Sequence, residues 1–304
     1  MSSMDIDELK AWLRLSMEPG VGPVTGRELL ARIGLPQLIF DASYTSLAAM
    51  CSPEIARSLS APPSAEIEQR IELSLDWLQS SAVNGILTLP DADYPAELLS
   101  IPDAPFLLYY AGQIETLKKP KLAIVGSRHS TAGGNDNARA FARYFAAKSW
   151  AVVSGLAYGI DKAAHEGALA SAQPAATIAV MATGLDLVYP GEHIELAVRV
   201  RDQGLLLSEY GIGMQANTHH FPQRNRIVAG LSLGVLVVEA AKRSGSLITA
   251  KQALEYSREV FAIPGSIHSQ LARGCHQLIR EGAKLVERAA DIEEELRAAY
   301  RIPD

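Results

Sequence analysis

Cysteine is nearly absent: Cys51 and Cys275 are the two in 304 residues, which excludes a disulfide framework and a cysteine-rich zinc site. Long apolar runs are missing too, since no stretch reaches the roughly 18 consecutive apolar residues of a membrane span. The N-terminal MSSMDIDELKAW carries acids where a signal peptide carries bases. Positive charge is in deficit, 28 Lys plus Arg against 34 Asp plus Glu for a formal net charge of −6. That argues against a uniformly basic surface and leaves a local patch open. What is present is core material: 48% of the residues are apolar and 20% charged, too apolar for a disordered chain. The length predicts about two domains at roughly 150 residues each, in a soluble cytoplasmic protein with no membrane segment.

Three textures follow one another. Residues 1–83 read as short helices broken at Pro19, Pro36, Pro53 and Pro62-Pro63, with Ile67, Ile71, Leu75 and Leu78 at helical spacing. Residues 84–120 are punctuated by five prolines around one strand candidate, Phe106 to Gly112, and are expected to bridge into the next domain. Over residues 121–304 the rhythm changes. Apolar runs marked by Val125, Val153, Val180, Leu207, Val238 and Ala262 recur every 24 to 31 residues, with amphipathic helix candidates such as Asn137 to Lys148 between them. Near-continuous apolar strands alternating with helices predict an α/β, doubly wound, mostly parallel sheet covered on both faces. The closing DIEEELRAAY reads as a solvated helix.

Ligands of an open parallel sheet bind beyond the carboxyl ends of its strands, so the turns there are where chemistry is expected. The first turn, GSRHSTAGG, sets Gly126 and Ser127 before a helix start whose N–H groups can meet an anion, and Arg128 adds a bidentate phosphate donor. A second turn presents Ser154 and Gly155 before a helix, and a third repeats the arrangement with Ser244, Gly245 and Ser246. Three such turns on one sheet edge can converge on a single polyanion. Neither G-x-G-x-x-G nor G-x-x-x-x-G-K-[ST] occurs in them, which disfavours an NAD or FAD site and excludes a P-loop ATPase. Between Glu209 and Glu239 there is no carboxylate, while His219, His220, Arg224 and Arg226 are present. In extended chain the two arginines share a face and can grip successive phosphates; in a helix they diverge by about 200° and one of them is structural. Pro222 biases Phe221 toward an extended conformation that offers its ring to a base.

GSR at Gly126, SGLAYGIDKAAHEGAL (Ser154 to Leu169), GLDLVYP (Gly184 to Pro190), FPQRNRIVAGLS, SGSLITA and VFAIPG together resemble the DNA-processing protein A (DprA/Smf) family, in order from about Asp93 to Val286. The resemblance implies an extended Rossmann-like domain that binds single-stranded DNA, protects incoming strands and loads RecA-type recombinase in natural transformation. It implies a homodimer, with no cofactor, metal or catalytic step. It places Gly126, Ser127, Arg128, Ser154, Gly155, Phe221, Arg224, Asn225, Arg226, Ser244, Gly245 and Ser246 along the DNA groove. It also implies that the N-terminal helices form a SAM-like domain, in which PGVGPVTGRELL (Pro19 to Leu30) resembles a helix-hairpin-helix turn. The sequence departs from the family pattern at Asn217 to His219, where some relatives carry a lysine, at Ser257-Arg258 and at Gly274 to His276. Many relatives extend into a C-terminal winged-helix domain, which is expected to be absent or not included in a sequence ending at Asp304.

Two rival readings remain. A Rossmann-like nucleotide hydrolase would use the same pocket with Glu239 as its carboxylate, and a pure recombinase adaptor would keep the pocket as a vestige. Asp161 and His165, four apart on a helix, read as stabilisation and packing rather than an acid–base pair or half a metal site. Cys275 with His276 reads as a surface loop pair, and Trp12, Trp77 and Trp150 as core. His219 and His220 stay open between phosphate contact and structure.

Overall fold

The apolar runs after Lys121 become short strands sealed on both faces. In the computed structural model, which describes residues 5–300, they are β3 (Lys121–Val125), β4 (Ala151–Ser154), β5 (Thr177–Val180), β6 (Leu205–Ser208), β7 (Gly234–Val237) and β8 (Glu259–Ala262). They are joined by β1 (Asn84–Thr88), β2 (Leu107–Gly112) and the edge strand β9 (Lys284–Leu285). Residues 1–4 and 301–304, which the expected domain ranges and the reading of the N-terminal acids include, lie outside the described residues.

One nine-stranded sheet runs β1-β2-β6-β5-β4-β3-β7-β8-β9. Every pair from β6 to β9 is parallel, whereas β1–β2 and β2–β6 are antiparallel. The chain winds outward from β3 through β4, β5 and β6, then returns to lay β7 on the other side of β3. The crevice beyond the carboxyl ends of β3 and β7 is thus the switch point of an extended Rossmann-like sheet.

Alternation along the strands divides the core. Leu122 and Ile124 pack with α8 (Ala132–Ala147), α9 (Ile160–Leu169) and α14 (Ala289–Tyr300). Ala123 and Val125 face α7 (Ala96–Leu99), α11 (His220–Leu231), α12 (Ser246–Glu255) and α13 (Arg273–Arg280) on the opposite side. α14 differs from the solvated helix expected: Ile292 and Leu296 are fully buried with Phe261 and Phe145, because its apolar residues stand four apart on one face.

The N-terminal part is all helical, with α1 (Ile6–Met17), α2 (Pro23–Ile33), α3 (Pro36–Phe40), α4 (Tyr44–Ala48), α5 (Pro53–Ser60) and α6 (Ala65–Gln79). Pro23, Pro36 and Pro53 open helices as well as ending the segments before them, since the first helical turn needs no proline N–H. Ser52 caps α5 and Ser64 caps α6, accepting from Ile55 N–H and Ile67 N–H. The apolar residues of these helices are continuous with the sheet: Trp12, Leu13 and Leu29 share one cluster with Tyr109, Ala179, Leu206 and α10 (Ile194–Gln203). Trp12 and Trp150 are buried and Trp77 lies edge-on to Tyr109, as their core reading requires.

Residues 84–120 are more than a bridge. They supply β1 and β2, with Tyr109 in register with Ser208 of β6. The expected strand at Phe106 to Gly112 is β2, and prolines fall in the connections outside both strands, so their density hid only its antiparallel partner β1.

Candidate nucleic-acid interface

The turns after β3 and β7 and the start of α11 close around a hollow of about 700 Å³ at the switch point. Nine of the twelve residues expected in the groove line it: Gly126, Ser127, Arg128, Phe221, Arg224, Asn225, Ser244, Gly245 and Ser246. Ser154, Gly155 and Arg226 do not, and each has a structural reason.

Ser154 is fully buried, and its hydroxyl donates to the Ile124 carbonyl at 2.7 Å. Gly155 donates its N–H to the Asp161 carboxylate at 3.1 Å, and a side chain there would overlap the Arg224 guanidinium. The second turn therefore holds an arginine of the chain itself. Arg226 points away, toward a separate hollow of about 590 Å³, where it pairs with Glu209 and, at 3.5 Å, with Asp103. The segment is helical from His220, so Arg224 and Arg226 diverge around α11 and only the first reaches the switch point. Phe221 is likewise helical, not extended, because Pro222 sits in the first turn, where a missing N–H costs no hydrogen bond.

At two of the three turns expected to receive an anion, a carboxylate of the chain itself already accepts from the amides. Glu239 accepts from Thr131 N–H at 2.9 Å and Thr131 Oγ1 at 2.6 Å, closing the start of α8. This occupies the carboxylate that a hydrolase would need. Asp161, in the first turn of α9, accepts from Gly155 and Ala157 N–H of the turn that precedes the helix. Burial pushes the Asp161 carboxyl above its ordinary range, opposed by Arg224 and these amides. Burial also pulls the Arg224 guanidinium down, with Asp161 opposing. The Ser127 N–H is engaged by the Glu239 carbonyl. α12 is different: Gly245 and Ser246 line the hollow and no carboxylate caps its start among the described residues, its first amides turning to Ser244 and Gly245, with the Ser244 and Ser246 hydroxyls 2.8 Å apart.

Around this start stand Arg128 and Arg243, both exposed and neither drawn into an ion pair among the described residues. Arg128 lies over the Phe221 ring, 5.1 Å from its centroid, which presents the guanidinium at the mouth. Arg243 and Tyr189 also line the hollow and were not among the expected residues. Arg243 was legible as a base entering a Ser-Gly-Ser turn; Tyr189 lies in the GLDLVYP segment that carries the resemblance, but its meeting with Phe221 is made by a distant loop and cannot be read locally.

The other expectations sort cleanly. His165 is fully buried with Nδ1 2.8 Å from Thr177 Oγ1, and burial pushes its pKa down to about 3, which suits packing. His220 stacks on Tyr210 and meets the Ala182 carbonyl at 3.2 Å, a structural role, while His219 is exposed. Cys275 is not a surface loop residue: it is fully buried on α13 because its helical face packs under β7. The hairpin-like turn at Gly20 to Pro23 faces the hollow of Glu209, Asp103 and Arg226, where two carboxylates meet one guanidinium.

Residues 85–297 match the family model for DNA recombination-mediator protein A. The chain is 50% identical over 202 residues to DNA processing protein DprA of Streptococcus pneumoniae, covering 66% of this chain and 71% of that protein. It is 38% identical over 302 residues to protein Smf of Escherichia coli, covering 98% and 78%. The solved structure of the Streptococcus pneumoniae protein superposes with a TM-score of 0.80 at 37% identity, over 97% of this chain and 99% of that one. A Helicobacter pylori DNA processing protein A, whose structure is described as showing a unique single-stranded DNA binding mode, superposes with a TM-score of 0.64 at 29% identity, over 71% and 97%.

Proposed function

This chain belongs to the DNA recombination-mediator protein A family, and from that premise we propose that it binds single-stranded DNA in the switch-point hollow. There it protects incoming strands and hands them to a RecA-type recombinase, as a cytoplasmic, non-enzymatic homodimer. The observation that carries the reading is the carboxylate-free start of α12 flanked by the guanidiniums of Arg128 and Arg243, neither in an ion pair among the described residues. Amides, hydroxyls and guanidiniums suit a phosphodiester backbone and read no sequence. The Helicobacter pylori relative, whose structure is described as showing a single-stranded DNA binding mode, supports the choice of ligand. Glu239 and Asp161 are both committed to amides of the chain itself, which supports a binder over a hydrolase.

Anisotropy of labelled oligo-dT across a salt series tests this. With roughly 3 to 5 phosphates neutralised, log Kd against log salt should have a slope of magnitude about 2 to 3.5. Duplex of the same sequence should bind more weakly. Equal affinity for duplex, or binding indifferent to salt, would overturn the reading.

A further inference from the structure

Phe221 is a poor landing place for a base. The Arg128 guanidinium lies over its ring, and Tyr189 tilts against it with centroids 5.5 Å apart at 51°. Tyr189, by contrast, is 50% exposed at the rim of the hollow. A second ring comes from a different loop, the one between β4 and α9. Tyr158, 41% exposed, donates its hydroxyl to Glu192 at 2.6 Å and sets its edge on His193 at 5.0 Å. The bond to Glu192 raises the Tyr158 hydroxyl above its ordinary pKa, with neighbouring Tyr189 adding a smaller push in the same direction.

Resting on the single-stranded DNA reading above, we propose that Tyr189 and Tyr158 form a stacking station for bases leaving the phosphate-holding hollow. Large apolar rings exposed beside an arginine-lined cleft are what successive bases stack on, whatever their sequence. The charge pattern separates the two parts. The hollow holds cations, whereas the station carries the Glu192 carboxylate beside Tyr158 and so repels phosphates. The station therefore takes bases alone and adds affinity without releasing counterions.

The test is Tyr189→Ala against Arg128→Ala on oligo-dT across a salt series, with the same strand carrying abasic sites as a control. Loss of one aromatic platform should weaken oligo-dT binding by about 5- to 150-fold while leaving the salt slope as in the wild type. On the abasic strand wild type and Tyr189→Ala should bind alike, and Tyr189→Phe should restore affinity, which separates a lost ring from a disturbed loop. Tyr158→Ala should act in the same direction. Wild-type affinity in Tyr189→Ala, a shallower slope like that of Arg128→Ala, or a deficit that persists on the abasic strand would overturn the proposal. Failure of the wild type itself to bind oligo-dT would instead remove the functional reading, and this one with it.

Discussion

The guanidinium of Arg224 occupies the place where a side chain on Gly155 would stand, with Nη1 donating to the Val180 carbonyl at 2.7 Å. A turn of the right composition to bind phosphate is filled instead by a cation from α11, sixty-nine positions along the chain. The site's positive charge is thus layered, with Arg224 buried beneath it and Arg128 and Arg243 at its mouth.

Gly155→Ala should force that guanidinium off the Val180 carbonyl. Overpacking of this kind costs about 1–3 kcal/mol, read as a lower urea midpoint. Unfolding at the wild-type midpoint would show that the socket yields freely.

Arg226→Ala should be destabilising by about 3–5 kcal/mol, because it leaves the carboxylates of Glu209 and Asp103 without their cation. Burial already holds the Glu209 carboxyl above its ordinary pKa, and Arg226 works against that rise. In the variant the rise is larger. An acid whose pKa is higher folded than unfolded holds its proton more tightly in the native state, so stability falls as pH climbs through that interval. The deficit relative to wild type should therefore be smaller at about pH 5 than at about pH 8. Urea titrations at both values check this, and a deficit independent of pH would count against it.

Arg128→Ala should weaken binding to every single strand alike and reduce the salt slope by about 0.7, the share of one phosphate contact. Arg243→Ala should do the same. Stability should stay within about 0.5 kcal/mol in both, since each side chain is exposed and free of ion pairs. A steeper or unchanged slope would place the residue off the DNA path.

Glu239→Ala should cost about 1–2 kcal/mol through loss of its bonds to Thr131 at the head of α8. Turnover of free nucleotides should sit at background in wild type and variant alike. Measurable hydrolysis abolished by the substitution would revive the enzyme reading.

Much of this was legible in the order of residues. Continuous apolar runs at a regular interval announce buried parallel strands, since only strands sealed on both faces need no polar alternation. Serine and glycine at the ends of those runs announce the turns of one sheet edge, because successive parallel strands point the same way. β2 was read as a strand, while its partner β1 was missed where prolines crowd the connections. α14 was misread because two apolar residues among many charges suffice to bury one face.

From the sequence alone came the α/β class, the switch-point edge and most of the residues that meet there. Tertiary structure alone decided which charges remain available. Glu239 meets Thr131 across 108 positions, and Arg226 meets Glu209 across 17. Such pairings depend on distance through space, and a charge cancelled by a remote partner leaves no mark in its own neighbourhood of the chain. That is why the groove could be located beforehand, while its free cations, Arg128 and Arg243, emerged once the neutralised groups were known.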